Sequence, residues 1–461
     1  MLTFHFRVIC ILFFAAISFH SQKALSIIKV MTQALTSEEQ KTPHQQAEKI
    51  NDKWLKHLWS VSDKLSSAHM ERTTNNVISS FGITGCLSPL LLGMGNDTKK
   101  QAEEFFQCEG KIEEFCYGMA SQAEIFQKTD AIGQTTLLYL NDCFNASPEY
   151  MKKLNCLVNY MPSCPSLIES REDLSTQEFM KKINELVNEK TEGNIPELLS
   201  EPFSPFAKII AVNIIFLKAK WADGPLKESY NFTFEGNSCP GIIYEDVRVA
   251  TINNDIEWSI ASLPMAGDCF VLLVMPHKDL GNKTETFKAL KDFSLEKTME
   301  SLHRSQITCH TDHQDDDSLS ELECMLGNVY FRKDTPKYVH RNKYDVHFPK
   351  LKIASENSVG EILVKTKQLD KPFGKDADFS ELSPTLTQGS GFSLFQLTQK
   401  ATFLVNEDGV EAAAATYASA GYFCCRKEPE KLFYNRPFKL YVVHKNAAPL
   451  FEVIIMENPT P

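Results

Sequence analysis

The stretch from Glu407 to Ala420, EDGVEAAAATYASA, constrains this chain more than any other. At the two-residue period of a strand, Val410, Ala412, Ala414, Thr416, Ala418 and Ala420 share one face, while Glu411, Tyr417 and Ser419 share the opposite one. A face built of small side chains fits between two strands already in place, because it neither overfills the packed layer nor buries a charge. The segment therefore reads as a mobile strand. Alanine is also the best helix former, so the composition taken alone favours a surface helix.

The flanks decide between these readings. Upstream lies QKATFLVNEDG and downstream FYNRPFKLYVVHKNAAPLFEVIIMENP. Together with the alanine stretch they resemble the carboxy-terminal part of the serpin family. The hinge E-D-G-V-E-A-A-A-A-T is similar to the family's E-x-G-T-E-A-A-A-A-T except at Val410. Further landmarks follow in the family's order. NIIFLKAKW (Asn213 to Trp221) resembles the strand pattern N-x-x-x-F-K-G-x-W, and INELVNEKTEGNI (Ile183 to Ile195) resembles the helix and turn before it. VHFPKLKI (Val346 to Ile353), DADFSEL (Asp376 to Leu382) and LLLGMGNDTKKQ (Leu90 to Gln101) are similar to other serpin segments, so the likeness runs from about residue 50 to the end.

Length and composition agree with one large domain. The chain has 461 residues, no linker-like composition through its middle, and enough apolar content (43%) for a substantial core. Amphipathic helical patterns occupy the first half, opening with Ile50, Trp54, Leu58, Val61 and Leu65. Apolar strand-like runs dominate later: IIAVNIIFLK, CFVLLVM, KLYVVH and LFEVIIM. Helices first and strands later indicate an α+β chain, with first-half helices packed on large mixed β-sheets and, as the resemblance implies, an exposed reactive loop at about 407–431.

At the amino terminus, Arg7 precedes the short apolar run Val8 to Ala16 and the small-residue pattern Ala16-Ile17-Ser18, the layout of a signal peptide. The expected organisation is a signal at 1–18, a polar extension at 19–46 and a single serpin domain at 47–461. Four N-x-S/T triplets, at Asn96, Asn145, Asn231 and Asn282, fit a secreted glycoprotein. Of thirteen cysteines, Cys108 with Cys116, Cys156 with Cys164, and Cys309 with Cys324 lie close enough in sequence to close small loops, the alternative being buried free thiols.

Catalytic signatures are missing from the sequence: there is no G-x-S-x-G, H-E-x-x-H or phosphate-cradling glycine loop. A formal charge of -11 and the lack of a basic helical stripe argue against nucleic acid and against a sulfated polysaccharide cofactor. The cluster Arg332, Lys333, Lys337, Arg341 and Lys343 reads as a solvated surface, and the acidic HTDHQDDDSLSELEC from His310 to Cys324 as a polar insertion loop, not a metal site. No cofactor, metal or membrane span is expected, and the chain reads as a monomer.

The resemblance implies that the chain offers a bait bond and the target protease supplies the nucleophile. In the family that bond lies roughly sixteen residues beyond the hinge glutamate, which from Glu407 places it at Phe423-Cys424. A bulky aromatic there suits the primary pocket of a chymotrypsin-like serine protease. Tyr422 serves the same pocket one residue earlier, and Arg426 points instead to a trypsin-like enzyme. The hinge implied is Glu407, Gly409, Val410, Glu411, Ala412, Ala413, Ala414, Ala415 and Thr416. The implied sheet-opening region holds Ser80, Asn213 and Gln399, with Phe81, Ile83 and Gln399 standing where the family has proline, serine and histidine. Gln399 has the chemistry to hydrogen-bond Asn213. The expected function is a secreted suicide-substrate inhibitor. Alternatives of the same fold are a non-inhibitory carrier and an inhibitor of a trypsin-like or cysteine protease.

Overall fold

The structure, a computed structural model, describes residues 58–65, 74–127, 132–140, 145–160, 166–168, 175–191, 193, 195–204, 209–217, 219–222, 224, 226–253, 256–266, 269–294, 343–394, 397, 399–410, 429–444 and 449–459. All belong to the unit Ile50–Pro461. Residues 58–65 form helix α1, presenting Leu58, Val61 and Leu65 inward as the sequence spacing predicts. Strand β1 (Asn76–Ile78) leads to α2 (Ser80–Leu91), a helix buried along nearly its whole length. Such a helix needs no amphipathic stripe, and SFGITGCLSPLL has none. Helices α3 (Asn96–Phe106), α4 (Ile112–Gln127), α5 (Pro148–Asn159) and α6 (Gln177–Lys190) complete the first half.

Among these helices run β2 (Ile132–Leu140), β3 (Ser166–Ile168), β4 (Ile209–Leu217) and β5 (Ala219–Lys220). Strand β2 lies between β3, which it pairs in parallel, and β4, which it pairs antiparallel. Helix α6 is capped by Thr176, whose hydroxyl accepts from the Phe179 amide, and its Phe179, Ile183 and Val187 recur every four residues. They pack with Tyr139 and Ile210 of the strands.

The second half is largely strand: β6 (Lys227–Ser229), β7 (Thr233–Phe234), β8 (Asn237–Ser238), β9 (Gly241–Asn253), β10 (Glu257–Pro264) and β11 (Cys269–Pro276). After α7 (Lys283–Asp292) come β12 (Lys343–Pro349), β13 (Leu351–Asn357), α8 (Val359–Thr366), β14 (Gln399–Val405), β15 (Gly409–Val410), β16 (Glu430–Phe433), β17 (Phe438–His444) and β18 (Pro449–Ile455). The largest sheet runs β1-β18-β17-β11-β10-β9-β12-β16, with β6 also on β9. It is antiparallel except for the β12–β16 pair.

Both faces of that sheet are covered, which explains apolar runs without polar alternation. Leu440, Val442, Val453 and Ile455 face the main core around α2, while Tyr441, Val443, Ile454 and Met456 face a second cluster with Trp59, Trp258 and Phe293. Two charges break this pattern. Lys439 and Glu452, each 1% exposed, form an ion pair across β17 and β18 on the side of the second cluster. Lys439 also donates to the Phe293 carbonyl at 3.3 Å and lies 5.1 Å from the Tyr441 ring, while Glu452 accepts from Ser62 of α1 at 3.3 Å.

The cysteine expectation is corrected where it can be read. Cys108, Cys116 and Cys156 are free thiols, so neither Cys108–Cys116 nor Cys156–Cys164 is formed. Cys108 and Cys116 behave as small buried hydrophobes, and burial first, with nearby acidic groups second, pushes the Cys108 thiol up to about 12. Cys309 and Cys324 lie outside the described residues.

Candidate functional site

Strand β14 ends at Val405, and at Asn406 the chain reverses. Asn406 and Gly409 exchange both backbone hydrogen bonds, at 2.9 and 3.3 Å, around the two-residue turn Glu407-Asp408. Beyond it, β15 does not continue along β14. It pairs antiparallel with β5, Gly409 opposite Lys220 and Val410 opposite Ala219. Gly409 is required at this crossing for two reasons. Its φ is 144°, and a Cβ there would sit 2.3 Å from the Ala219 carbonyl oxygen and 2.7 Å from the Lys220 Cα, both backbone atoms that cannot swing aside.

The turn is held from three directions. The Trp221 indole N–H donates to the Asn406 carbonyl at 2.9 Å, the Leu226 amide donates to the Glu407 carbonyl at 2.7 Å, and the Trp221 amide donates to the Asp408 carbonyl at 3.4 Å. Trp221 is 2% exposed and packs edge-on against Tyr244 and Phe348. The Glu407 carboxylate lies 2.7 Å from the Lys350 ammonium, which also reaches Glu228 at 3.2 Å. The hydrogen bond from Lys350 holds the Glu407 carboxyl below the usual carboxylate range. Burial works to lower the Lys350 ammonium, but its bonds to Glu407 and Glu228 prevail and raise it.

On either side of this crossing stands a sheet edge with no partner strand among the described residues. Among the described residues β4 pairs with β2 on one side alone, and β14 with β13 on one side alone. Strand β5 follows β4 in the chain, β15 follows β14, and the two pairs of residues 409–410 and 219–220 form the ladder between these halves. An unpaired row of N–H and C=O groups is a template for another strand.

At the opposite end of β14, Gln399 uses its whole carboxamide on Ser79: its oxygen accepts from the Ser79 amide and its nitrogen donates to the Ser79 carbonyl, both at 2.9 Å. Ser79 is the N-cap of α2, its hydroxyl accepting from Gly82 at 3.0 Å and donating to the Leu450 carbonyl at 2.6 Å. The predicted Ser80 is also in this region; its hydroxyl donates to Ser62 at 3.1 Å. Gln399 thus engages the Ser79 backbone. Asn213 lies on β4 opposite Thr136, and its side chain is outside the described residues. Phe81 and Ile83 are both buried, Phe81 edge-on to Phe126.

Of the predicted hinge, Glu407, Gly409 and Val410 fall at the crossing. Glu411, Ala412, Ala413, Ala414, Ala415 and Thr416, and the expected bait Phe423-Cys424, lie outside the described residues, as do residues 1–18 and 19–46. All four candidate glycosylation asparagines are exposed. Asn231 sits in a turn at φ 58°, and Asn282 caps α7 through its oxygen, accepting from Thr284 at 2.9 Å. The Asn96 amide nitrogen donates to Asp378 at 2.8 Å. Trp221, Lys350 and Asn406 lie inside segments the sequence singled out and Ser79 does not, but no motif showed what any of the four binds. Their partners are distant in the chain, so only the fold reveals them. No helix among the described residues is long and apolar enough to cross a membrane.

Comparison with known proteins bears directly on this geometry. A family model described as serpin (serine protease inhibitor) matches residues 60–311 and 313–455. Mouse (Mus musculus) leukocyte elastase inhibitor A is 22% identical over 384 residues, covering 81% of this chain and 90% of the relative. Mouse protein Z-dependent protease inhibitor is 22% identical over 437 residues, covering 89% and 85%. Among solved structures, mouse protein-Z dependent protease inhibitor superposes with a TM-score of 0.62 at 19% identity, covering 88% of this chain and 99% of that one. Thyroxine-binding globulin complexed with thyroxine does so with 0.65 at 17%, covering 89% and 100%. At such identities the solved structures establish the α+β fold, helices with several mixed sheets, and nothing finer. The family match spans most of the sequence, and on that ground the chain belongs to the serpins, a family of protease inhibitors and not of enzymes.

Proposed function

We propose that this chain is a secreted suicide-substrate inhibitor of a chymotrypsin-like serine protease. The observation that carries the reading is the crossing at Gly409–Val410: the first residues of the alanine-rich segment already lie antiparallel on β5, beside two sheet edges with no partner strand among the described residues. Residues beyond 410 then have a place to go.

In this mechanism the target's serine attacks the Phe423 carbonyl and the Phe423-Cys424 peptide bond breaks. The Cys424 nitrogen leaves with a proton, and Phe423 remains as an acyl ester on the protease. Cleavage frees one end of the loop, and residues from 410 to about 420 zip between β4 and β14. Each adds ladder hydrogen bonds worth about 1 kcal/mol net, on the order of ten kcal/mol together. The inward-facing set Val410, Ala412, Ala414, Thr416, Ala418 and Ala420 carries no charge that would oppose this. The attached protease is carried along and its active site distorted before water can release it. The chain acts once, as a monomer, outside the cell, with glycans on some or all of Asn96, Asn145, Asn231 and Asn282.

Incubation of the purified chain with chymotrypsin, elastase and trypsin tests this. A covalent adduct that survives denaturing electrophoresis, with a new amino terminus at Cys424, is the expected result. A terminus at Lys427 moves the bait to Arg426 and the target to a trypsin-like enzyme. Cleavage without any adduct overturns the inhibitor reading and leaves the second one, a non-inhibitory binding protein. That second reading is supported by the likeness to thyroxine-binding globulin, solved with thyroxine.

A further inference from the structure

The turn at residues 406–409 has an unusual hand for a two-residue hairpin. Such hairpins favour central residues at positive φ, often Asn-Gly or Asp-Gly, because that twist matches the flanking strands, whereas turns of the opposite hand splay them. The central residues here are Glu407 and Asp408, and neither has positive φ. A splayed turn suits this place, since the chain must leave β14 and cross to β5. It also needs a brace.

Asn406 supplies it. The side-chain oxygen accepts from the Asp408 amide at 3.0 Å and from the Gly409 amide at 3.1 Å, an Asx turn that folds the backbone over the carboxamide. Its own carbonyl is fixed by the buried Trp221 indole. One half-buried residue thus ties the position just after the strand to the protein body and, through its side chain, to the first residue that pairs with β5.

We propose that Asn406 is the positioning residue that sets the register in which the loop enters the sheet. The proposal rests on the inhibitor reading, because register matters only if the loop inserts. A shift by one residue would turn Val410, Ala412 and Ala414 outward and carry Glu411 inward.

The test compares Asn406→Asp, which keeps an acceptor oxygen, with Asn406→Ala, which removes it. In the intact protein, amide exchange at Asp408 and Gly409 rises on the order of tenfold in N406A and stays near wild type in N406D. With chymotrypsin, the fraction of N406A released as cleaved product instead of trapped adduct rises several-fold, and N406D again follows wild type. Should N406A not fold, Asn406→Ser against Asn406→Gly repeats the comparison with and without a side-chain oxygen. The proposal is overturned if N406A matches wild type in both measurements, or if N406D fails as badly as N406A. A wild-type chain that forms no adduct at all sinks the inhibitor reading instead, and the exchange comparison distinguishes that failure from this one.

Discussion

The Glu407–Lys350 contact at 2.7 Å holds the first residue of the turn, and its pH dependence follows from the shifts of its two members. Glu407 is held below its ordinary range, so its contribution is present above the unfolded glutamate pKa and is lost as pH falls through the lower folded value. Lys350 is raised, so its contribution is present below the unfolded lysine pKa and lost as pH rises through the higher folded one. The contact therefore persists throughout the neutral range. Glu407 is 35% exposed in its side chain, so solvent screening limits the pair to under about 1 kcal/mol. Glu407→Gln should speed amide exchange at Gly409 a few-fold at neutral pH, with mutant and wild type converging in acid. Equal exchange at both pH values would show that the pair does not hold the turn. The Lys439–Glu452 pair behaves differently because water does not reach it. Lys439→Met alone strands a buried carboxylate and should cost about 3–5 kcal/mol, while Lys439→Met with Glu452→Leu should recover most of the loss. Denaturant midpoints of the two variants check this. A double variant as weak as the single one would refute it.

Elements carry the next level, and Gln399 is their clearest junction. Its carboxamide matches both backbone groups of Ser79 and so fastens the start of β14 to the entry of α2. Gln399→Leu leaves a donor and an acceptor unpaired in a partly buried place, and should lower stability by about 1–3 kcal/mol. A thermal midpoint equal to that of wild type would show the junction to be replaceable. How far these elements were legible depended on whether their signal was local. The runs CFVLLVM and KLYVVH read as strands because most of their residues are apolar or β-branched, and they fall in strands Cys269–Pro276 and Phe438–His444. The spacing of Leu58, Val61 and Leu65 read as an amphipathic helix, and all three are buried on α1. The hinge glycine was legible from its motif. The bonding roles of Trp221, Lys350 and Asn406 were not, although all three stand in recognisable segments, since each acquires its role only from a partner that folding brings near. Ser80, singled out from the sequence, donates to Ser62, while its neighbour Ser79 falls at the helix cap and holds Gln399. Lys439 and Glu452 vanished inside apolar runs because strand patterns average over single charges.

At the scale of the whole molecule, the β15–β5 ladder at Gly409–Val410 joins the chain segments that follow β14 and β4, whose far edges carry no partner strand among the described residues. If residues beyond 410 fill that place after cleavage, the cut chain has more backbone hydrogen bonds than the intact one, and the intact form persists through a barrier and not through depth. A gain on the order of ten kcal/mol should raise the midpoint of thermal unfolding by ten degrees or more in chain nicked within the loop. Ala414→Arg places a guanidinium on the inward face at the centre of the incoming strand, where burial without a partner is prohibitive. That variant should be cut by chymotrypsin at a normal rate, form no lasting adduct, and show little thermal gain on nicking. The three outcomes belong together. A variant that gains heat resistance yet traps no protease would separate insertion from inhibition. A wild-type chain that gains none would mean that the open edges of β4 and β14 are not the destination of the alanine-rich segment.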